Sequence, residues 1–145
     1  MQSDRDAGEV LMVSRWRERD CFTAYMKRSP PLAHQICARY QAEFPDEQQR
    51  YGAAGVQWCL YDNQYLLAWA FQDARDGTVV LSEQAAWLAR VLAARDFPLA
   101  LARLARDLEI AAEVTRGNPA LGALADSTAQ RLAAAAAAIT SDQVC

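Results

Sequence analysis

The five prolines of this chain stand at the edges of stretches whose apolar residues recur every three or four positions. A helix interior tolerates proline poorly, because proline lacks a backbone N–H and its ring clashes one turn back. That punctuation predicts a succession of helices. A first helix, capped by Ser3 or Asp6, runs over roughly 8–27 and stops before Ser29-Pro30-Pro31, since residues preceding proline avoid the α region. A second covers 31–44 with Ile36, Tyr40 and Phe44 as its buried stripe. Pro45-Asp46 then starts a short helical turn, and Tyr51-Gly52 leads into a long helix over 53–73 that Asp76-Gly77 ends.

Ser82 caps the next helix, with acidic Glu83 in its first turn and Ala86, Leu88, Val91 and Leu92 on its apolar side; Trp87 lies beside them. After Asp96-Phe97-Pro98, Leu101, Leu104, Leu108, Ala111 and Ala112 keep helical spacing over 98–115, and Arg103, Arg106, Asp107, Glu109, Glu113 and Arg116 read as an exposed face of mixed sign. Gly117-Asn118-Pro119 supplies a stop, a cap and the first residue of a last helix over 119–139. The alanine run 133–138 belongs to that helix, alanine being the best helix former. The segment 78–81 is too short and unpaired to found a sheet. The expected class is all-α.

At 145 residues the chain amounts to one domain, long enough to bury a core without disulfide or metal staples. A formal charge of −3 and the absence of any basic block argue against a nucleic-acid partner. The polar start, residues 1–9, lacks the apolar core of a signal peptide, and no apolar run approaches the ~18 residues of a membrane span, so a cytoplasmic protein without membrane contact is expected. Cys21, Cys37, Cys59 and Cys145 show no metal-ligand spacing, and His34 is the single histidine. No nucleophile with a base, catalytic carboxylate pair or glycine-rich phosphate loop is present, so no enzymatic activity is expected.

The long central helix carries the chemistry. Its period aligns Gly55, Trp58, Cys59, Asp62, Tyr65, Leu66 and Trp69 on one face, with Asn63 and Gln64 turned elsewhere. A carboxylate in such a stripe is costly unless something donates hydrogen bonds to it. An arginine or backbone donors could do so, with Cys59 then a small buried residue and the aromatics core; a ligand with N–H groups could do so as well.

Tyr51-Gly52, Cys59-Leu60, Asp62, Tyr65 and Leu67 stand in the order and spacing seen around the chromophore-binding cysteine of phycocyanin and allophycocyanin subunits. The turn at Asp76-Gly77, the helix with Trp87, the break at Phe97-Pro98 and the alanine-rich last helix follow in similar order, so the chain resembles the phycobiliprotein family over 50–140. The resemblance implies a globin-like helical fold in one domain, with 1–30 an N-terminal extension and 31–140 the globin core. It implies a bilin, biliverdin or a reduced derivative, as the bound cofactor. Asp62 then accepts from the pyrrole nitrogens, Cys59 is the position of a thioether link, and Trp58, Tyr61, Tyr65 and Trp87 form the pocket.

Where the light-harvesting subunits carry an arginine for a bilin propionate this chain has Tyr61, which leaves Arg50 or Arg90 as substitutes. The chain therefore resembles the phycobilisome-like globins of non-photosynthetic bacteria, some associated with bilin biosynthesis, more than an antenna subunit. A protein that sequesters, carries or senses a bilin is expected, with bilin-synthesising enzymes as partners and pairing into a homodimer. The alternatives are a ligand-free helical interaction module and a haem globin using His34.

Overall fold

A computed structural model describes the backbone of residues 2–97 and 99–142 and the side chains of residues 23–97 and 99–140. Five helices follow one another: α1 Gln2–Glu43, α2 Pro45–Asp76, α3 Leu81–Ala94, α4 Ala100–Arg116 and α5 Leu124–Asp142, with a 3₁₀ turn at Pro119–Leu121 between the last two. No strand occurs among the described residues, and no helix is long and apolar enough to cross a membrane. The all-α class holds.

Antiparallel pairs organise the bundle. α1 lies along α2, α4 lies along α5, and α2 and α3 both reach α5 from the other side. Ile36 of α1, Leu66, Leu67 and Phe71 of α2, Leu81 of α3, Leu108 and Ile110 of α4, and Leu132 and Ile139 of α5 meet in one core. The stripe of Ile36, Tyr40 and Phe44 faces inward as its spacing predicts, Ile36 and Tyr40 buried and Phe44 packed against the core. In α5 the fully buried side chains include Ala129 and Ala135, whose size lets the backbones approach closely.

Three boundaries differ from the sequence-based expectation. α1 continues through Pro30 and Pro31 instead of stopping before Ser29, so residues 2–43 form one helix. Each interior proline removes a hydrogen bond and costs about 3 kcal/mol. Burial of Tyr25, Leu32, Ala33 and Ile36 on either side of the prolines offsets that cost, while Lys27 and Pro31 lie on the exposed side, where water can meet a freed carbonyl. Ser29 is buried at the same point, and its hydroxyl donates to the Tyr25 carbonyl at 2.7 Å. The Ser3 or Asp6 cap expected for a shorter first helix lies outside the described side chains.

The start of α3 is also set differently. Ser82 sits inside the first turn, and the Leu81 N–H donates to Asp73 Oδ2 of α2 at 3.0 Å, so a carboxylate from the preceding helix supplies the cap that Ser82 was expected to give. Asn118 does cap, accepting from the Ala120 N–H at 3.0 Å, but what it caps is the 3₁₀ turn; α5 begins only at Leu124, beyond Gly122 at φ 56°. Gly77 ends α2 as expected, in the left-handed region at φ 64°.

Gly52 breaks α2 internally with φ 60° and ψ −143°, a conformation essentially reserved for glycine. The turn at Tyr51-Gly52 therefore divides a short segment, 45–51, from the long one, as the sequence predicts. One turn on, a Cβ at Gly55 would lie 2.7 Å from Tyr51 Cβ. The kink and the missing side chain together fold the Tyr51 ring onto Phe97, stacked at 4.8 Å, and beside Trp58 at 5.9 Å.

Candidate ligand groove

α2 and α3 run antiparallel across a short connection, and their facing side chains leave a groove of about 440 Å³. α2 contributes Trp58, Tyr61, Asp62, Tyr65 and Trp69; α3 and the segment after it contribute Trp87, Leu88, Val91, Leu92, Arg95 and Phe97. The volume is that of an ordinary small-molecule site. The rings are held in series along α2, Tyr61 to Tyr65 at 5.1 Å and Tyr65 to Trp69 at 5.6 Å between centroids, while Trp58 meets Phe97 edge-on at 6.0 Å. The two tyrosine hydroxyls lie 3.3 Å apart, and that contact raises the Tyr65 phenol's pKa. Trp58, Tyr61 and Trp87 are 45%, 59% and 49% exposed, which makes this an open, aromatic cleft and not core.

Asp62 sits at the base of the cleft. It makes no hydrogen bond or ion pair among the described residues, and burial pushes its carboxyl up to about 6, with Arg95 pulling the other way. Of the donors open to this acid, Arg95 is near enough to act on its charge, and none hydrogen-bonds to it among the described residues. Arg95, at the C-terminal cap of α3, is the cation in the groove lining. Arg50 and Arg90 do not line it; the Arg50 guanidinium lies 5.7 Å from the Tyr51 ring centroid.

A second, smaller cavity of about 70 Å³ lies behind the groove, toward α1 and α4. Trp58, Asp62, Leu92 and Phe97 belong to both spaces. Its polar lining is Tyr40, Glu47, Cys59, Asp62, Asn63, Arg103 and Asp107. Glu47 is fully engaged, accepting from the Tyr40 hydroxyl at 2.6 Å and from Arg103 at 2.8 Å, and Arg103 also reaches Asp46 at 2.9 Å. Asp107 is different: 5% exposed, it accepts one hydrogen bond, from Asn63 Nδ2 at 3.1 Å. Burial, with repulsion from Asp62 and Glu47 and in spite of the Asn63 bond, raises Asp107 to about 7.

Five of the six residues expected to bind a ligand come together: Trp58, Tyr61, Asp62, Tyr65 and Trp87 all line the groove. Cys59 does not. It faces the inner cavity and α1, with its Sγ 2.8 Å from Cys37 Sγ, and the contact with Cys37 together with burial raises the thiol's pKa. His34 is exposed on α1 and lines neither space. Cys21 and Cys145 lie outside the described side chains.

Two readings need correction. Asn63, expected to point away and contribute nothing, is buried and bridges Asp107 to the Cys59 carbonyl, with Nδ2 to O distances of 3.1 and 3.0 Å. Asp107, assigned to the exposed mixed-charge face of α4, is buried, and Arg103 of that set is largely covered. The missed signal was spacing: position 107 falls three after Leu104 and four before Ala111, inside the apolar stripe. The chain matches no protein-family model, no curated protein and no solved structure.

Proposed function

We propose that this protein has a globin-like fold and binds a linear tetrapyrrole of the bilin type in the groove between α2 and α3, holding the pigment for storage, transfer or sensing. The observation that carries the reading is an unpaired carboxylate, Asp62, at the base of a cleft walled by aromatic rings. A bilin has the complementary form: a flat conjugated chain for Trp58, Tyr61, Tyr65, Trp69 and Trp87, pyrrole N–H donors for Asp62, and propionates for Arg95. Asp62 accepting from several N–H groups at once, and from a protonated ring in particular, gains charge-assisted bonds about twice as strong as neutral ones.

The position of Cys59 favours a non-covalent complex. A thioether requires the thiol at the ligand's edge, whereas this sulfur turns away from the groove toward Cys37. Burial disfavours the thiolate that would attack a vinyl or ethylidene group.

Titration of the purified protein with biliverdin, and separately with its reduced derivatives, tests the proposal by visible spectroscopy. The expected result is a red-shifted, sharpened band that disappears in Asp62→Ala and in Trp87→Ala is weakened. No spectral change with any bilin, or a band indifferent to Asp62, overturns it.

A further inference from the structure

The inner cavity is too small for a flat ligand, and yet it gathers a set of polar side chains behind the groove. Its geometry places two acids on one small space: Asp62, which also lines the groove, and Asp107, which does not. At about 70 Å³ the cavity has room for water. Asn63 stands between them on the chain's own frame. Its Nδ2 is committed to Asp107 and the Cys59 carbonyl, while its Oδ1 is buried with no partner among the described residues. An orphaned acceptor and a singly bonded carboxyl on the same cavity call for a proton or a donor there.

We propose that Asp107 is an internal proton reserve for the groove: it passes its carboxyl proton, by way of the cavity and Asp62, to an imine-type nitrogen of the bound ligand. The proposal deepens the bilin reading and rests on it. The proton leaves Asp107 Oδ, and the ligand nitrogen becomes N–H⁺ against the Asp62 carboxylate. Asp107 remains as a carboxylate that keeps the Asn63 Nδ2–H bond, so no proton is drawn from solvent.

The surroundings set the order of titration. Asp62 faces Arg95, which favours its ionised form, and ionises first, near 6. Asp107 then faces a charged Asp62 and Glu47, and holds its proton to about 7. From α1, Tyr40 is buried against Glu47 and stays neutral, as does the Cys59 thiol of α2 beside Cys37. Arg103 of α4 pairs with Glu47 and Asp46 through its two terminal nitrogens, and its Nε–H is buried with no partner among the described residues. Near pH 6.5 the pair therefore holds one proton, on the acid remote from the ligand. A cation arriving at Asp62 cancels the charge that keeps that proton on Asp107.

The test is proton counting with an indicator dye in weakly buffered solution while biliverdin binds. At pH 6.5 the wild type takes up close to no proton per ligand, and at pH 8, where Asp107 is already ionised, close to one. Asp107→Asn takes up close to one at both. Equal uptake by wild type and Asp107→Asn at pH 6.5 overturns the proposal. Carbon-13 carboxyl titration of the ligand-free protein supplies an independent reading: Asp107 titrates near neutrality, and Asp62→Asn lowers its midpoint. A midpoint in the ordinary carboxylate range, or one unmoved by Asp62→Asn, overturns the coupling whether or not a ligand binds. If no bilin binds at all, the groove's proposed function and the transfer fall together, while the titration still decides whether the two acids are linked.

Discussion

The groove and the cavity behind it are built by the same stretch of α2, one residue apart, and they differ in size and in chemistry. The groove is wide and walled by rings; the cavity is small and sets acids, an amide and a phenol among apolar side chains. Asp62 faces both and Asn63 only the inner one. The difference shows how a 100° step along a helix turns neighbouring side chains into two separate spaces.

The largest expected effect belongs to the inner cavity and concerns stability. Asp107 has a folded-state pKa near 7, above its unfolded value, so folding favours the protonated acid. Its cost is absent below about pH 4, grows as pH rises, and is complete above 7. By linkage it reaches roughly 4 kcal/mol at most. Asp107→Asn is expected to be more stable than wild type at pH 8 and no more stable at pH 4, in urea denaturation at the two pH values. Equal shifts at both would make Asp107 an ordinary packed residue and erase the contrast between the two spaces.

Next in size is the groove's own acid. Asp62→Ala is expected to weaken bilin binding about 10- to 100-fold, the worth of hydrogen bonds to a charged group, in equilibrium titrations at pH 7.5. For a ligand already protonated in solution, wild-type affinity should fall as pH drops through about 6, where Asp62 takes up a proton. Gly52→Ala forces a side chain into a left-handed backbone with φ 60°, at a cost of about 1–3 kcal/mol, and should loosen the Tyr51–Phe97–Trp58 end of the groove. The check is a lower Tm with a rise in tryptophan solvent exposure. Smaller again, Arg95→Gln should cost a few-fold in affinity for a free-acid bilin, less at high salt, and nothing for its dimethyl ester. Cys59→Ser is expected to leave the band unchanged, with the pigment released on denaturation.

Much of this architecture is legible in the sequence because punctuation and period are local. Gly77 and the Tyr51-Gly52 kink needed only the conformational freedom of glycine, and Trp58, Asp62 and Tyr65 needed only the helical period, while Tyr61 came from the family resemblance. What escaped reading depends on partners far along the chain. The prolines at 30 and 31 are absorbed because α1 is packed on α2 around them, a benefit invisible to rules about isolated helices. Asp107 lies among charged neighbours, and only the stripe from Leu104 to Ala111 marks it as inward. Arg95 differs from Arg50 and Arg90 solely in where the end of α3 falls against α2.

Asp73 carries one more consequence. Its carboxylate holds the first N–H of α3 and lies 3.4 Å from Arg131 of α5, so the hinge side of the α2–α3 hairpin is clamped to the rest of the bundle. At the far end Trp58 of α2 meets Phe97, three residues past α3, edge-on. The hairpin thus has the form of a clothes-peg pinned at its fulcrum. A flat molecule entering from the open end would bear on the aromatic tip before it reached the Asp73 clamp.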